Sequence, residues 1–327
     1  MVRAASEPES YGPIYTRGSS FRARAEARQR QFRAETLGVG WSSHGHWLDD
    51  ASTAVGANFV TPLAFALARE RDAAGKGVTD RTFRNMLSSQ AMAFNIFAPL
   101  ANDLSLATRV LGAFIPELTA VRSITIEYTP AVDLLRDQSS VGGVDCDLLI
   151  EATFRGEVEA IVVIETKFVE PELSRCDFRK PKRVRSGQTV CPADVHVSSS
   201  RTACAYVARK NYAYWERADA LCTLKPLTEP GCPFAGPLWQ LWVNHTLAHA
   251  EAQKRGASEA RLLLCAPSEN DALLQNGAVV MSFQALLERP ETLRMLPLEP
   301  LLDRIATEVD ADQNPWVDAL RSRYAKI

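Results

Sequence analysis

The segment at residues 159–168 constrains the fold more than any other part of the chain. Its centre, residues 160–164, is apolar enough to be buried on both faces of a sheet, yet Glu165 and Lys167 follow it at once. Side chains two residues apart on a strand point to the same face, so this acid and this base project together. Two charges that close a buried strand need a chemical explanation.

Two strand-like runs rich in β-branched residues precede this segment, at residues 121–128 and 144–154. Together the three runs predict three consecutive antiparallel strands. A three-residue connection at 155–157 would set Asp147 opposite Glu165, whereas an even-length connection would turn the two acids to opposite faces. The sequence leaves the register open.

Helical patterns surround these strands, and one further strand follows them. The order is helices, three strands, helices, a strand and helices, which predicts an α/β (α+β) protein with one mixed central sheet flanked by helices. The other expected elements are an exposed helix or arm at 19–37, helices within 59–114 and 201–255, a buried strand at 260–266, and helices from 282 onward.

Composition narrows the function classes. The 327 residues are 46 % hydrophobic and 23 % charged, as in ordinary globular proteins. The net charge of −2 gives no overall electrostatic reason to bind nucleic acid, so such binding must depend on local clusters. No apolar run approaches the roughly 20 residues that cross a bilayer, and the first residues do not resemble a secretory signal. We therefore expect a cytoplasmic protein, with no membrane partner, whose seven cysteines are reduced.

Two carboxylates that converge beside a lysine suit phosphodiester hydrolysis. Oxygen ligands from Asp and Glu bind Mg²⁺ or Mn²⁺, which keep several waters and bridge to phosphate. The metal lowers the pKa of a bound water, and an ammonium group can position that water or stabilise the transition state. Asp147, Glu165 and Lys167 supply these groups.

At these residues the chain resembles the PD-(D/E)XK nuclease superfamily, named for an Asp before one strand and a Glu-x-Lys or Asp-x-Lys on the next. DLLI (147–150) and IETK (164–167) carry the match. More narrowly, the chain resembles a restriction-endonuclease-like family of largely uncharacterised microbial proteins, through SSQAMAFNIF (88–97), IEY (126–128), ETKFVE (165–170) and QLWVNHTLA (240–248). The resemblance spans about residues 83–270. It implies a restriction-endonuclease-like αβββαβ core, dependence on a divalent metal, and hydrolysis of DNA or RNA.

The resemblance also implies roles for individual residues. Asp147 and Glu165 would ligate the metal and Lys167 would act on the water, with Asp145 as the alternative ligand.

Two further residues complete the predicted catalytic set. Family members often carry an additional acid on the first helix or strand, and Glu127 on the first strand is the substitute that this chain offers. Gln240 lies on the predicted helix that precedes the last strand. There it either contacts the scissile region or serves as a helix-capping or core polar residue.

Substrate phosphates are expected at a basic stretch that follows the Glu-x-Lys motif. The predicted phosphate-binding residues are Arg179, Lys180, Lys182, Arg183 and Arg185. The alternative interpretation of this basic stretch is a solvated loop. For the arginines between residues 17 and 33, the alternative is a solvated helix face.

The chain is expected to divide into an N-terminal helical arm and extension (1–78), a nuclease-like core (79–270) and a C-terminal helical segment packed on the core (271–327).

Two histidine pairs and four cysteines are weaker signals of metal binding. They are His44 with His46, His245 with His249, and Cys176, Cys191, Cys222 and Cys232. The helical histidine pair lacks the Glu of a zinc-binding helix, and the cysteines lack any Cys-x2-Cys pair. A zinc site at the histidines is therefore not favoured, and the sequence leaves open whether the cysteines bind a metal or a cluster. The sequence also has no Gly-rich phosphate loop, so ATP is not expected.

The sequence favours a metal-dependent nuclease that acts on nucleic acid, DNA rather than RNA, and the resemblance suggests restriction or phage defence. One alternative is a non-catalytic module that binds nucleic acid or protein and retains the nuclease fold. Another is a nuclease that is active only in complex with a protein partner. A protein partner or a homo-oligomer is compatible with each of these hypotheses.

Overall fold

The computed structural model describes residues 8–15, 17–137, 144–179, 186, 191, 196–222, 224–310, 314–325 and 327. A five-stranded sheet lies at its centre, with the strands in sequence order. The strands are β1 (Leu118–Tyr128), β2 (Cys146–Phe154), β3 (Val158–Thr166), β4 (Glu259–Ala266) and β5 (Leu293–Pro297). The first three are antiparallel to one another, and β3, β4 and β5 are parallel.

Helices flank this mixed sheet, which confirms the predicted α/β fold. They are α1 (Ser20–Gln31), α2 (Asp50–Ala54), α3 (Pro62–Ala73), α4 (Asp80–Arg84), α5 (Ser89–Asn102), α6 (Leu104–Gly112), α7 (Val132–Leu135), α8 (Ala205–Lys210), α9 (Tyr214–Leu221), α10 (Leu238–Arg255), α11 (Asp271–Leu274), α12 (Ala278–Gln284), α13 (Leu298–Glu308) and α14 (Asn314–Tyr324). None of these described helices has the length and apolarity that a membrane crossing requires.

Strand β3 is apolar throughout its centre because helices cover the sheet on both sides. Ala160, Val162 and Ile164 belong to a core that also contains residues of α5, α6, α13 and α14. Ile161 and Val163 belong to a second core, which contains residues of α8, α9, α10 and α12. A strand covered on both faces needs apolar side chains at successive positions.

The β2–β3 hairpin has the odd-length connection that brings the two acids to one face. Residues 155–157 form this connection, and Phe154 pairs with Val158 across it. Gly156 adopts a φ of +80°, a left-handed conformation that glycine reaches without a steric penalty. Of the two registers that the sequence left open, the structure has the one with Asp147 opposite Glu165.

Strand β5 corrects the prediction that residues from 282 onward are all helical. Leu293 pairs with Leu262 and Pro297 with Ala266, in parallel with β4. The strand is only five residues long, too short for a clear alternation of apolar and polar positions. Proline is tolerated at its end because β5 lies at the edge of the sheet.

Helix α1 and the turns that follow it to residue 37 do not form the exposed helix or arm that their arginine-rich composition suggested. Arg30 and Arg33 are each 2 % exposed. Arg30 donates a hydrogen bond to the carbonyl of Gly12 at 2.7 Å, and Arg33 donates one to the carbonyl of Gly45 at 2.8 Å. Carbonyl oxygens compensate the buried charges. The prediction of exposure was wrong because these arginines hold neighbouring segments of backbone rather than face solvent.

A buried network around Arg323 joins the first and last long helices. Its guanidinium group donates to the carbonyl of Asn58 at 2.6 Å and to Oε1 of Gln29 at 3.1 Å. Gln29 returns a hydrogen bond from Nε2 to the carbonyl of Arg323 at 2.7 Å. The network links the two ends of the described chain, while the division at residues 78 and 270 stays a prediction.

Candidate active site

Three acidic residues lie side by side on the three antiparallel strands. The β1–β2 ladder sets Glu127 opposite Asp147. The β2–β3 ladder runs up to the pair of Leu148 with Ile164, and the next step sets Asp147 opposite Glu165. Glu127 and Glu165 are each 3 % exposed, and Asp147 is half-buried. Glu127, Asp147 and Glu165 are called the carboxylate row below.

Glu165 is the most heavily hydrogen-bonded member of the carboxylate row. Its Oε1 atom forms an ion pair with Nζ of Lys167 and accepts a hydrogen bond from Nε2 of Gln240 at 2.6 Å. Its Oε2 atom accepts one from Nδ2 of Asn244, also at 2.6 Å. Gln240 and Asn244 are one turn apart on α10, so a single helix face fixes the orientation of this carboxyl group.

Gln240 therefore acts on Glu165 rather than as a simple helix cap. Its Oε1 atom also accepts a hydrogen bond from the backbone N–H of Ser174 at 2.8 Å. The side chain thus ties the loop after β3 to the carboxyl group at the end of that strand.

Burial has opposite effects on the pKa values of Glu165 and Lys167. Burial raises the pKa of Glu165 to about 7, the charge of Asp147 adds to this shift, and Lys167 opposes it. Burial alone would lower the pKa of Lys167, but the carboxylates of Glu165 and Asp147 raise it above its ordinary value. Lys167 therefore remains an ammonium group at neutral pH, whereas Glu165 changes its protonation state near neutral pH.

Asp147 is held by Thr166, the residue between the two charges of the motif. One carboxyl oxygen, Oδ2, accepts hydrogen bonds from the backbone N–H and from the hydroxyl of Thr166, each at 2.6 Å. Burial raises the pKa of Asp147, while Lys167 and the two hydrogen bonds from Thr166 oppose the rise. Asp147, not Asp145, is the aspartate in the carboxylate row.

Glu127 is buried with one oxygen atom lacking a hydrogen-bond partner. Its Oε2 accepts from Nε2 of Gln90 at 2.9 Å, whereas Oε1 has no partner among the described residues. Burial raises the pKa of Glu127 well above its ordinary value, and Asp147 adds to the shift. The backbone φ of +52° is unusual for a glutamate, and such strain is concentrated at functional sites.

Gly77 makes the close approach to Glu127 possible. A Cβ atom at this position would lie 2.9 Å from Oε2 of Glu127, and the φ of Gly77 is +67°. Neither this glycine nor Gln90 was assigned a role from the sequence, because their contacts with β1 depend on tertiary structure.

Glu170 secures the chain where β3 ends. Its carboxylate accepts hydrogen bonds from the backbone N–H of Phe168 at 2.7 Å and from the hydroxyl of Ser89 at 2.8 Å. Asn270 donates to the carbonyl of Glu170 at 3.0 Å. Glu170 and Asn244 lie within the motifs quoted above, but no role could be assigned to them from the sequence alone.

The carboxylate row has the donor chemistry of a site for a hard divalent cation, although its three acids do not bring one oxygen each within 4.8 Å of one another. All of its donors are oxygen atoms, which Mg²⁺ and Mn²⁺ prefer. The charge of Asp147 raises the pKa of both Glu127 and Glu165, and one oxygen of Glu127 is buried without a partner among the described residues. A bound cation would relieve this repulsion and supply the missing partner.

The basic stretch is only partly described. Arg179 lies beside a small cavity, and its guanidinium group donates a hydrogen bond to the carbonyl of Cys191 at 3.0 Å. Lys180, Lys182, Arg183 and Arg185 lie outside the described residues. Phosphate binding by this stretch stays a prediction.

The histidine pair of α10 has a third neighbour that the sequence did not reveal. One potential ligand atom from each of Cys222, His245 and His249 lies within 4.8 Å of the other two. Burial lowers the pKa of both histidines, that of His249 to about 4, so both rings are neutral at pH 7. Of the other pair, His46 lies 3.2 Å from the carboxylate of Glu26.

Comparison with protein families gives a direct assignment. A family model described as the PD-(D/E)XK nuclease superfamily matches residues 16–194 and 207–326. The match covers most of the chain, including β5 and the terminal helices, and the chain belongs to this superfamily. Searches of curated proteins and of solved structures found no match.

Proposed function

We propose that this protein is a metal-dependent nuclease that hydrolyses phosphodiester bonds of DNA. The observation that carries the proposal is the carboxylate row with the ammonium group of Lys167 beside it. Membership of the superfamily supports nuclease activity in general. The preference for DNA over RNA, and a role in restriction or phage defence, follow from the resemblance to restriction-endonuclease-like proteins.

The carboxylate row would hold Mg²⁺ or Mn²⁺. A divalent ion bound there would supply an activated water and neutralise charge on the phosphate. Glu165 is already oriented for this task by Gln240 and Asn244, and Asp147 by Thr166. This preorganisation reduces the rearrangement that ligand binding requires.

Lys167 contributes charge and hydrogen-bond donors rather than a base. Its pKa is raised by Glu165 and Asp147 despite the opposing effect of burial, so Nζ keeps its proton at neutral pH. An ammonium group at this position donates to the attacking water or to a phosphate oxygen and stabilises the negative charge of the transition state.

A reducing compartment, the cytoplasm, is the inferred location. The support is the sequence, in which seven cysteines, an odd number scattered over a long chain, favour reduced thiols over a disulfide framework.

The test is cleavage of supercoiled plasmid, linear DNA and RNA in Mg²⁺ or Mn²⁺, with an EDTA control. Wild type is compared with Asp147→Asn and Lys167→Ala, and with Glu172→Gln as a surface carboxylate control. Metal-dependent cutting of DNA that both site variants lose supports the proposal. Cutting of RNA alone would correct the substrate, and equal cutting by all four proteins would refute the site. No cutting by wild type would favour the partner-dependent alternative.

A further inference from the structure

Four cysteines from separate parts of the chain surround one small cavity. They are Cys176 in the loop after β3, Cys191, Cys204 directly before α8, and Cys232 before α10. The cavity that they line with their neighbours has a volume of about 10 Å³. This is room for about one water-sized atom or ion.

The surroundings of these four thiols are largely apolar. Phe178, Tyr206, Phe234, Trp239 and Trp242 line the same cavity. The remaining three cysteines of the chain, Cys146, Cys222 and Cys265, do not line it. Four thiols around one dry space match the ligand number and type of a tetrathiolate zinc ion or of an iron–sulfur cluster.

We propose that Cys176, Cys191, Cys204 and Cys232 form a metal centre that takes a soft metal through four thiolates. Binding of zinc would form four Zn–S bonds and release four protons from the thiols, leaving a centre with a charge of −2. The sulfur atoms of these four cysteines are not grouped within 4.8 Å of one another, as the ligand atoms of Cys222, His245 and His249 are, so the thiols would move inward to bind a single zinc ion. Both occupants share the tetrathiolate chemistry.

Arg179 provides a compensating positive charge at this centre. It lines the cavity, and its hydrogen bond to the carbonyl of Cys191 fixes the guanidinium group there. The same arginine lowers the pKa of the Cys191 thiol, against the larger effect of burial, which raises it. A guanidinium group beside a centre of charge −2 reduces the cost of burying that charge.

The centre lies next to the contacts that position Glu165. Ser174, which donates to Gln240, is two residues before Cys176. Trp239, directly before Gln240 on α10, lines the cavity. A metal that ties Cys176 to Cys232 would therefore brace both sides of the Ser174–Gln240 hydrogen bond. This last consequence depends on the proposed nuclease function, whereas metal binding itself does not.

The experiment measures metal content in the full chain, purified without chelators and without oxygen. Native mass spectrometry and elemental analysis of wild type should show about one zinc per chain, or iron with matching acid-labile sulfide and brown colour. Cys176→Ala and Cys232→Ala should each lose at least about tenfold in occupancy. Cys222→Ala should keep the metal, which separates this centre from the group of Cys222, His245 and His249.

Three results would overturn the proposal. They are wild type with far less than one metal per chain, full occupancy in both Cys176→Ala and Cys232→Ala, or loss in Cys222→Ala alone. If the variants fail to fold, wild type still decides: a chelator should remove the metal and expose the four thiols to alkylation. Metal content is independent of cleavage, so failure of this proposal and failure of the nuclease proposal give different results.

Discussion

The substitution Glu165→Gln removes an ionisable group from the carboxylate row and keeps its shape. Oε1 retains its hydrogen bond from Gln240, and rotation of the Asn244 amide turns its oxygen toward the new NH₂ group. Glutamine thus imitates the protonated form of Glu165. We expect it to abolish metal-dependent cleavage and, in the absence of metal, to stabilise the folded protein.

The size of this stabilisation follows from the pKa of Glu165. Burial and Asp147 raise that pKa from 4.5 to about 7. The shift of 2.5 units corresponds to about 3 kcal/mol. Between pH 4.5 and 7 the folded protein binds more protons than the unfolded chain, so the stability of wild type falls as pH rises through this window. The penalty is fully present above pH 7 and absent below pH 4.5.

Urea unfolding in EDTA at pH 5 and pH 8 measures the effect. At pH 8 we expect Glu165→Gln to be more stable than wild type by up to about 3 kcal/mol, and at pH 5 by less than about 1 kcal/mol. Glu172→Gln at the surface serves as the control and should stay within about 0.5 kcal/mol of wild type at both pH values.

Added Mg²⁺ should reverse the order by stabilising wild type, which binds it, more than the variant. A Glu165→Gln protein that is less stable than wild type at pH 8 in EDTA, or a difference that does not depend on pH, would refute the electrostatic reasoning.

Three further perturbations test individual contacts of the site. Lys167→Met should lower the cleavage rate by roughly 100-fold or more, because the variant loses the charge that stabilises the transition state, while circular dichroism stays unchanged. Gly77→Ala should cost about 1–2 kcal/mol of stability from its φ of +67° and also reduce cleavage, because the new Cβ meets Glu127. Gly75→Ala is the matched control, since its φ is +66° but its Cβ meets nothing within 4 Å, so it should keep full activity. Asn244→Ala should lower cleavage about tenfold, because one oxygen of Glu165 loses its donor.

These predictions have distinct contradicting results. Unchanged cleavage in Lys167→Met would remove the lysine from the mechanism. Equal activity in the two glycine variants would mean that the contact between Gly77 and Glu127 is unimportant. Unchanged cleavage in Asn244→Ala would mean that Gln240 alone orients Glu165.

Local pattern was enough to predict the part of the fold that carries the site. The apolar run before Glu165 identified β3, and the parity of the 155–157 connection reduced the register to two choices, of which the structure has one. The same reasoning could not predict that Glu127 lies opposite Asp147, because it did not give the register of β1 against β2. Strand β1 contains two register irregularities, between Leu118 and Ala120 and between Val121 and Ser123, and irregularities of this kind carry no clear sequence signal.

Tertiary contacts explain most of what the sequence did not reveal. Cys204 joins Cys176, Cys191 and Cys232 around one cavity although these residues are far apart in the chain, and Cys222 lies with the histidines of α10 instead. Spacing rules detect ligands only when they are close in sequence. Arg33 was assigned to a solvated surface for a similar reason, since its carbonyl partners come from other segments.

Binding of Mn²⁺ to the carboxylate row is the measurement that tests the central claim most directly. Electron paramagnetic resonance follows the loss of the signal of aqueous Mn²⁺ as wild type, Asp147→Asn and Glu165→Gln are titrated. Saturable binding by wild type, weakened at least about tenfold in both variants, is the predicted result. Equal binding by all three folded proteins, or no binding by wild type, would contradict the claim that these acids form the metal site.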